Sequence, residues 1–201
     1  MGTGVKPVDV TGRFESVTGQ FIIHLFRQIC YNSRGRAYRW QQTPLGGAMD
    51  ILEFTCTGIE NGGKFPIENT GRGQNVSPEF IFSNLSPQAK TLAITLEDLS
   101  HPVKDFTHWL IWNIPAANEI KSGIPAGNHV PELDRACQGI GYGFHRYAGP
   151  KPPKGKTHTY RFTAYALDCN VQLSVHSLKK AFLKKTEGHI LQKGSITANY
   201  E

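Results

Sequence analysis

From Ile51 onward, apolar and polar positions alternate in short runs separated by glycine and proline, the pattern of a mainly β domain. Over residues 91–97, Leu92, Ile94 and Leu96 share one face of a predicted strand. Residues 108–114 are almost continuously apolar, which suits a strand covered on both faces. Residues 157–167, rich in aromatic and β-branched side chains, form the longest strand candidate. Ser86-Pro87, Ile114-Pro115 and Gly149-Pro150-Lys151-Pro152-Pro153 punctuate these runs. One helix is predicted, from Ser174 to about Lys185. Val175, Leu178, Phe182 and Leu183 recur there at helical spacing, and Gly188 follows as a stop.

Composition narrows the class. A chain of 201 residues fits one domain, perhaps with an extension. No Gly-x-x period runs through it, which excludes collagen, and 10% aromatic residues argue against wholesale disorder. No apolar run approaches the ~20 residues of a membrane-spanning helix.

The net charge of +6 is unevenly spread. Residues 1–48 hold six basic side chains against Asp9 and Glu15, whereas residues 49–201 hold 16 basic and 14 acidic ones. The basic balance therefore belongs mostly to the N-terminal segment and says little for a nucleic-acid partner of the main domain. Lys179, Lys180, Lys184 and Lys185 read as the wet face of the predicted helix. Within residues 1–48, the short apolar run Phe21-Ile22-Ile23-His24-Leu25-Phe26 precedes an Arg-rich stretch. A flexible basic extension, or a functional start at Met49, accounts for this segment more simply than an organelle transit peptide. The expected organisation is thus an extension over 1–48 and a domain over 49–201.

Cys30, Cys56, Cys137 and Cys169 form no Cys-x-x-Cys pair and are too sparse for a disulfide scaffold. Unbridged thiols in a reducing compartment are expected, and hence a cytoplasmic setting.

Two strands carry polar groups that a plain core does not need. His158 and Tyr160 lie two positions apart and share a face, with Phe162 and Ala164 continuing it inward. His108 opens another strand, after a loop that begins at Asp98. Two imidazoles and a phenol make a hydrogen-bond donor set, Gly149 offers accessible backbone N–H, and a carboxylate behind an imidazole fixes its tautomer. That set suits a small anion, above all phosphate. A lone strand histidine is more often a packing residue than a ligand, so spacing alone leaves both readings open.

Three segments bear a resemblance to a known family. Gly73-Gln-Asn-Val-Ser-Pro78, His108-Trp-Leu-Ile-Trp-Asn-Ile-Pro115 and Tyr147-Ala-Gly-Pro-Lys-Pro-Pro-Lys-Gly-Lys-Thr-His-Thr-Tyr160 occur in the order found in the phosphatidylethanolamine-binding proteins. The chain resembles their bacterial and archaeal Raf-kinase-inhibitor-like branch from about Met49 to Tyr200. Gly188-His-Ile-Leu191 and the terminal Tyr200 also fit. The resemblance implies a large antiparallel sheet packed on a smaller one, with a few peripheral helices. It implies His108, His158 and Tyr160 as anion contacts and Asp98 as the acidic residue of the pocket. It places Gly149 at the pocket mouth, with Pro102, Phe106 and Pro153 as lining. One stretch departs from the family pattern: Asp98-Leu-Ser-His-Pro102 stands where Asp-Pro-Asp-x-Pro is usual. Leu99 in place of proline disfavours a cis bond there, and Ser100 in place of aspartate makes the pocket less negative. His101 and His145 read as exposed bystanders.

The leading functional reading is a non-catalytic binding protein for phosphate groups of phospholipid headgroups or phosphorylated ligands, needing no cofactor. It could regulate a kinase or a protease and could pair as a homodimer. The alternative is a metal-dependent hydrolase holding zinc with His108, His158 and Asp98. No Gly-x-Ser-x-Gly elbow supports a serine nucleophile, and the short glycine pairs at 71–73 and 139–141 do not suggest a dinucleotide site.

Overall fold

The computed structural model describes residues 50–201, together with the backbone of two short strands, Ile29–Tyr31 (β1) and Ala37–Arg39 (β2), which pair antiparallel. Two compact units are distinguished, Met1–Gly47 and Ala48–Glu201. The remaining features expected of residues 1–48, including the apolar run at 21–26, lie outside the described residues.

The larger unit is built on three long central strands, Thr91–Asp98 (β7), Phe106–Pro115 (β8) and His158–Leu167 (β12). Each includes a predicted strand and extends it or trims it by one or two residues. They are flanked by Ile190–Tyr200 (β13), by Ala136–Gln138 (β11) and His129–Val130 (β10), and by the two-residue strands Asp50–Ile51 (β3) and Gly63–Lys64 (β5). The eight-stranded sheet runs β10-β11-β8-β7-β12-β13-β3, with β5 also on β13. Its pairs are antiparallel except where β3 and β5 join β13 in parallel. A second, three-stranded sheet orders Phe54–Cys56 (β4), Phe80–Phe82 (β6) and Glu119–Ile120 (β9).

The main core lies between the two sheets. Leu92, Ile94 and Leu96 from β7 meet Tyr160, Phe162, Ala164 and Ala166 from β12 and Phe80 and Phe82 from β6, all buried. Phe162 sits edge-on to Phe80 at 5.2 Å between ring centroids, beside Phe65 at 5.9 Å and stacked on Tyr147 at 6.4 Å. The opposite face of the large sheet packs Ala93, Leu110, Trp112, Tyr165 and Leu167 against Phe182. The continuous apolar run of β8 follows from this, since both its faces are covered.

Three expectations need correction. The helix, Lys179–Lys185 (α1), is shorter than predicted. Leu178 is extended and 59% exposed at its N-cap, so only Phe182 and Leu183 of the four predicted apolar positions lie in the helix. Lys179 is not on a wet face: it is buried and its ammonium pairs with Glu97. The longest strand is β13, with 11 residues. Its polar side chains hid it in the pattern, yet Gln192, Gly194, Ile196 and Ala198 alternate inward as a half-buried strand requires.

Phe162→Ala removes the ring at the centre of the main core. The expected loss of stability is ~3–5 kcal/mol, measured by urea denaturation, with the β-sheet circular dichroism of the native state retained.

Candidate functional site

The antiparallel register between β7 and β12 sets Tyr160 directly opposite Asp98, and Asp98 in turn opposes Phe106 on β8. His158 lies two positions before Tyr160 on the same face. Its Nδ1–H donates to Asp98 Oδ2 at 2.7 Å. The other carboxylate oxygen accepts the backbone N–H of Ser100 at 2.9 Å.

His108 arrives by a different route. Leu96 pairs with Trp109 and Glu97 with Thr107, so His108 is left without a partner on β7, in a β-bulge. A bulge inserts one residue and re-aims the side chains around it. His108 therefore reaches the same face as Phe106, while Trp109 stays in the main core. Its ring stands edge-on to Tyr160, with centroids 5.3 Å apart, and 5.4 Å from Phe106. His108 Nδ1–H donates to the Ala148 carbonyl at 2.9 Å.

The structure thus brings together Asp98, His108, His158, Tyr160 and Phe106. Gly149 is also there, in a role other than the expected one. Its N–H is not open to an anion but donates to Asn75 Oδ1 at 2.7 Å. Glycine is needed because a Cβ at this position would overlap the Asn69 carbonyl oxygen. Pro102 and Pro153 are both exposed, and the rings beside His108 are Phe106 and Tyr142. His101 is not a bystander: it stacks on Phe106 at 3.7 Å. His145 is half-buried and its Nδ1 bonds the Gln138 carbonyl at 2.7 Å, a structural contact.

Two contributors escaped sequence reasoning. Tyr142, 59% exposed, lies 5.3 Å from the His108 ring. It is delivered by a loop stitched to β8 through Tyr142 N–H to Thr107 O at 2.9 Å and Gly143 N–H to His108 O at 3.2 Å. Only an aromatic between two glycines marked it. Asn75, at φ 60, tethers Gly149 from within the Gly73–Pro78 segment, where an Asn in a left-handed turn was a readable sign.

The Leu99–Pro102 departure is accommodated by local bonds. Leu99 N–H donates to Thr159 O at 2.8 Å, and Ser100 Oγ accepts Thr159 N–H at 2.9 Å. No peptide bond among the described residues is cis. Ser100 here fastens the loop to β12.

Electrostatics distinguish the groups. Burial pulls the His108 pKa below its ordinary 6.5, although the Ala148 carbonyl and the Asp98 charge push the other way. Burial, followed by the Asp98 charge, drives the Tyr160 phenol far above its usual range, so it remains an O–H donor. The metal-ligand reading of this trio fails on geometry. Among the described residues, the one His/Cys/Asp/Glu group whose donor atoms converge within 4.8 Å is Asp168, Cys169 and His189, at another place in the fold. A cavity of about 720 Å³ also lies elsewhere, lined in part by β3, β4 and Gly194–Ile196. At the imidazole site, the rings of Phe106, Tyr142 and Tyr160 stand around His108, with centroids 5.4, 5.3 and 5.3 Å from it.

Comparison with known proteins agrees with the motifs. The family model for phosphatidylethanolamine-binding protein matches residues 55–201. A UPF0098 protein of Pyrococcus horikoshii is 34% identical over 160 residues, covering 78% of this chain and 81% of the relative. One from Pyrococcus abyssi is 35% identical, covering 78% and 89%. The fold resembles a crystal structure described as a phosphatidylethanolamine-binding protein homologue from Chlamydia trachomatis, with TM-score 0.65 and 26% identity over 76% of this chain and 98% of that one. It also resembles Escherichia coli YbcL, described as a member of the mammalian family, with TM-score 0.64 and 25% identity over 75% and 98%.

A depressed histidine pKa contributes stability that is complete above the unfolded value near 6.5 and is lost as pH falls through the folded value. Chemical denaturation of wild type and His108→Gln between about pH 5 and 8 should therefore show the wild type losing more stability on the acid side. Parallel pH profiles would remove the assignment of a neutral, buried His108.

Proposed function

The chain belongs to the phosphatidylethanolamine-binding protein family, and from that premise we propose that this imidazole site is a non-catalytic receptor for the phosphate group of a small molecule or phospholipid headgroup. The observation that carries the reading is the fixed direction of the two imidazoles. His108 commits Nδ1–H to the Ala148 carbonyl, and His158 commits Nδ1–H to the Asp98 carboxylate. Each ring therefore has Nε2 left for a guest. In a neutral ring that nitrogen accepts; after taking a proton it donates. An anion arriving between the rings supplies the charge that favours the proton uptake, and the Tyr160 phenol adds a donor already in place.

A phosphate monoester suits this arrangement because its second pKa is near ~6. It can bring the shared proton itself. Arg72, Lys151, Lys154 and Lys156 are exposed on the segments around Gly149 and the Pro-rich loop, and Arg72 Nη2 donates to Pro152 O at 2.7 Å. They raise the local positive potential that draws an anion in.

The hydrolase alternative is weaker. Both oxygens of Asp98 are engaged, by His158 and Ser100, and His108 does not join them as a third converging donor. Regulation of a kinase or protease through a phosphorylated segment would engage the same donors. Cys56, Cys137 and Cys169 as free thiols support a reducing, cytoplasmic setting. No helix among the described residues is long and apolar enough to cross a membrane.

Calorimetric titration with phosphate and phosphoethanolamine should show binding to wild type. His158→Ala and Tyr160→Phe should weaken it by about 1.5–3 kcal/mol each, as expected for hydrogen bonds to a charged group. Unchanged affinity in both variants would overturn the site. Sulfate, whose charge is constant over the range, tests the proton: its affinity should fall with rising pH, by up to ~10-fold per unit for one proton taken up. A flat profile would exclude imidazolium donors.

A further inference from the structure

The ladder between β12 and β13 ends at the pair Leu167–Ile190. The next residues, Asp168 and His189, face each other just beyond it, joined by Asp168 N–H to His189 O at 3.2 Å. Their side chains also meet, with His189 Nδ1 2.9 Å from Asp168 Oδ1. Cys169 follows Asp168, and its carbonyl is anchored by the Thr91 hydroxyl at 2.6 Å. On the other side, His189 N–H is held by Thr186 O at 2.9 Å, just after Gly188 turns the chain with φ +79. One imidazole nitrogen, one carboxylate oxygen and one thiol sulfur thereby lie within 4.8 Å of one another. The anion site uses none of these three residues, and of the three only His189 falls in a segment that carries the resemblance.

From this convergence we infer that Asp168, Cys169 and His189 form a binding site for a borderline divalent cation of the zinc class. The donor set selects the ion. Hard cations such as calcium and magnesium take oxygen ligands, whereas a mixed nitrogen, oxygen and sulfur set suits zinc and its neighbours. Ligand bonds of ~2.0–2.3 Å place tetrahedral donors about 3.5 Å apart, so a small rotation of side chains already within reach closes the set. The charges also match. A carboxylate and a thiolate balance a divalent ion, and the thiol proton passes to solvent as the sulfur–metal bond forms. His189 and Asp168 side chains are 50% and 42% exposed, which leaves the fourth position to water.

The test uses the full chain, stripped with a chelator and titrated with cobalt(II), which reports its ligands by colour. Wild type should take up one cobalt per chain with a thiolate-to-cobalt charge-transfer band and the intense visible bands of tetrahedral coordination. Cys169→Ser should abolish the charge-transfer band. Cys137→Ser should leave it intact, which separates this site from the Cys137–His129 contact at 3.5 Å. Zinc affinity, read by competition with a chromophoric chelator, should fall by at least ~10-fold in His189→Ala and in Asp168→Asn. Both residues are at the surface, so native circular dichroism is expected in each variant. No thiolate band in wild type, or a band that survives Cys169→Ser, or zinc affinity unchanged in His189→Ala, overturns the inference.

Discussion

The register of one strand pair governs the molecule. Because Tyr160 stands opposite Asp98, the residues of β12 and β7 that continue inward from them build the main core, and those at the outer end build the candidate site. A slip of β12 by one residue would send His158, Tyr160 and Phe162 to the opposite face, away from Asp98 and from the main core. Core and site therefore specify the same register. The bulge at His108 depends on it too, since it brings β8 onto this row without losing Trp109 from the core.

The reverse face carries a polar counterpart. Glu97 and Asp98 are neighbours in sequence, so their side chains point to opposite faces of the sheet. Glu97 is buried beneath α1, where Lys179 and Arg161 meet it, the latter at 3.3 Å. Lys179 also approaches Asp105 at 3.9 Å, in the loop that returns from Asp98 to Phe106. An ion cluster on one face thus braces the same loop that frames the candidate site on the other. A buried carboxylate with two cations is costly to disrupt, because a lone partner would be left uncompensated.

The candidate site takes its hydrogen-bond directions from commitments made elsewhere. Ala148 and Asp98 decide which nitrogen of each imidazole is spent inside the protein, so the nitrogen left over is fixed in direction. Asn75 and the close approach of Asn69 fix Gly149 and the loop that supplies Ala148. Distant segments, 69–75 and 147–150, therefore control the state of a residue at position 108 without being in its strand.

The amino-acid pattern alone determined the β class, the three central strands and their inward faces, and it offered two imidazoles, a phenol and a carboxylate as a candidate site. These follow from period-two alternation and from residue type, which are local properties. Motif resemblance added that these groups meet. It could not settle how they meet: β13 looks too polar to be a strand until its paired neighbours are known, Lys179 looks solvated until Glu97 is placed under it, and Gly149 looks available until Asn75 takes its N–H. The bulge at His108, the arrival of Tyr142 and the meeting of Asp168 with His189 are relations between segments far apart in the chain. Only tertiary packing decides such relations, because hydrogen bonds and close contacts across the fold, rather than any local preference, set their energy.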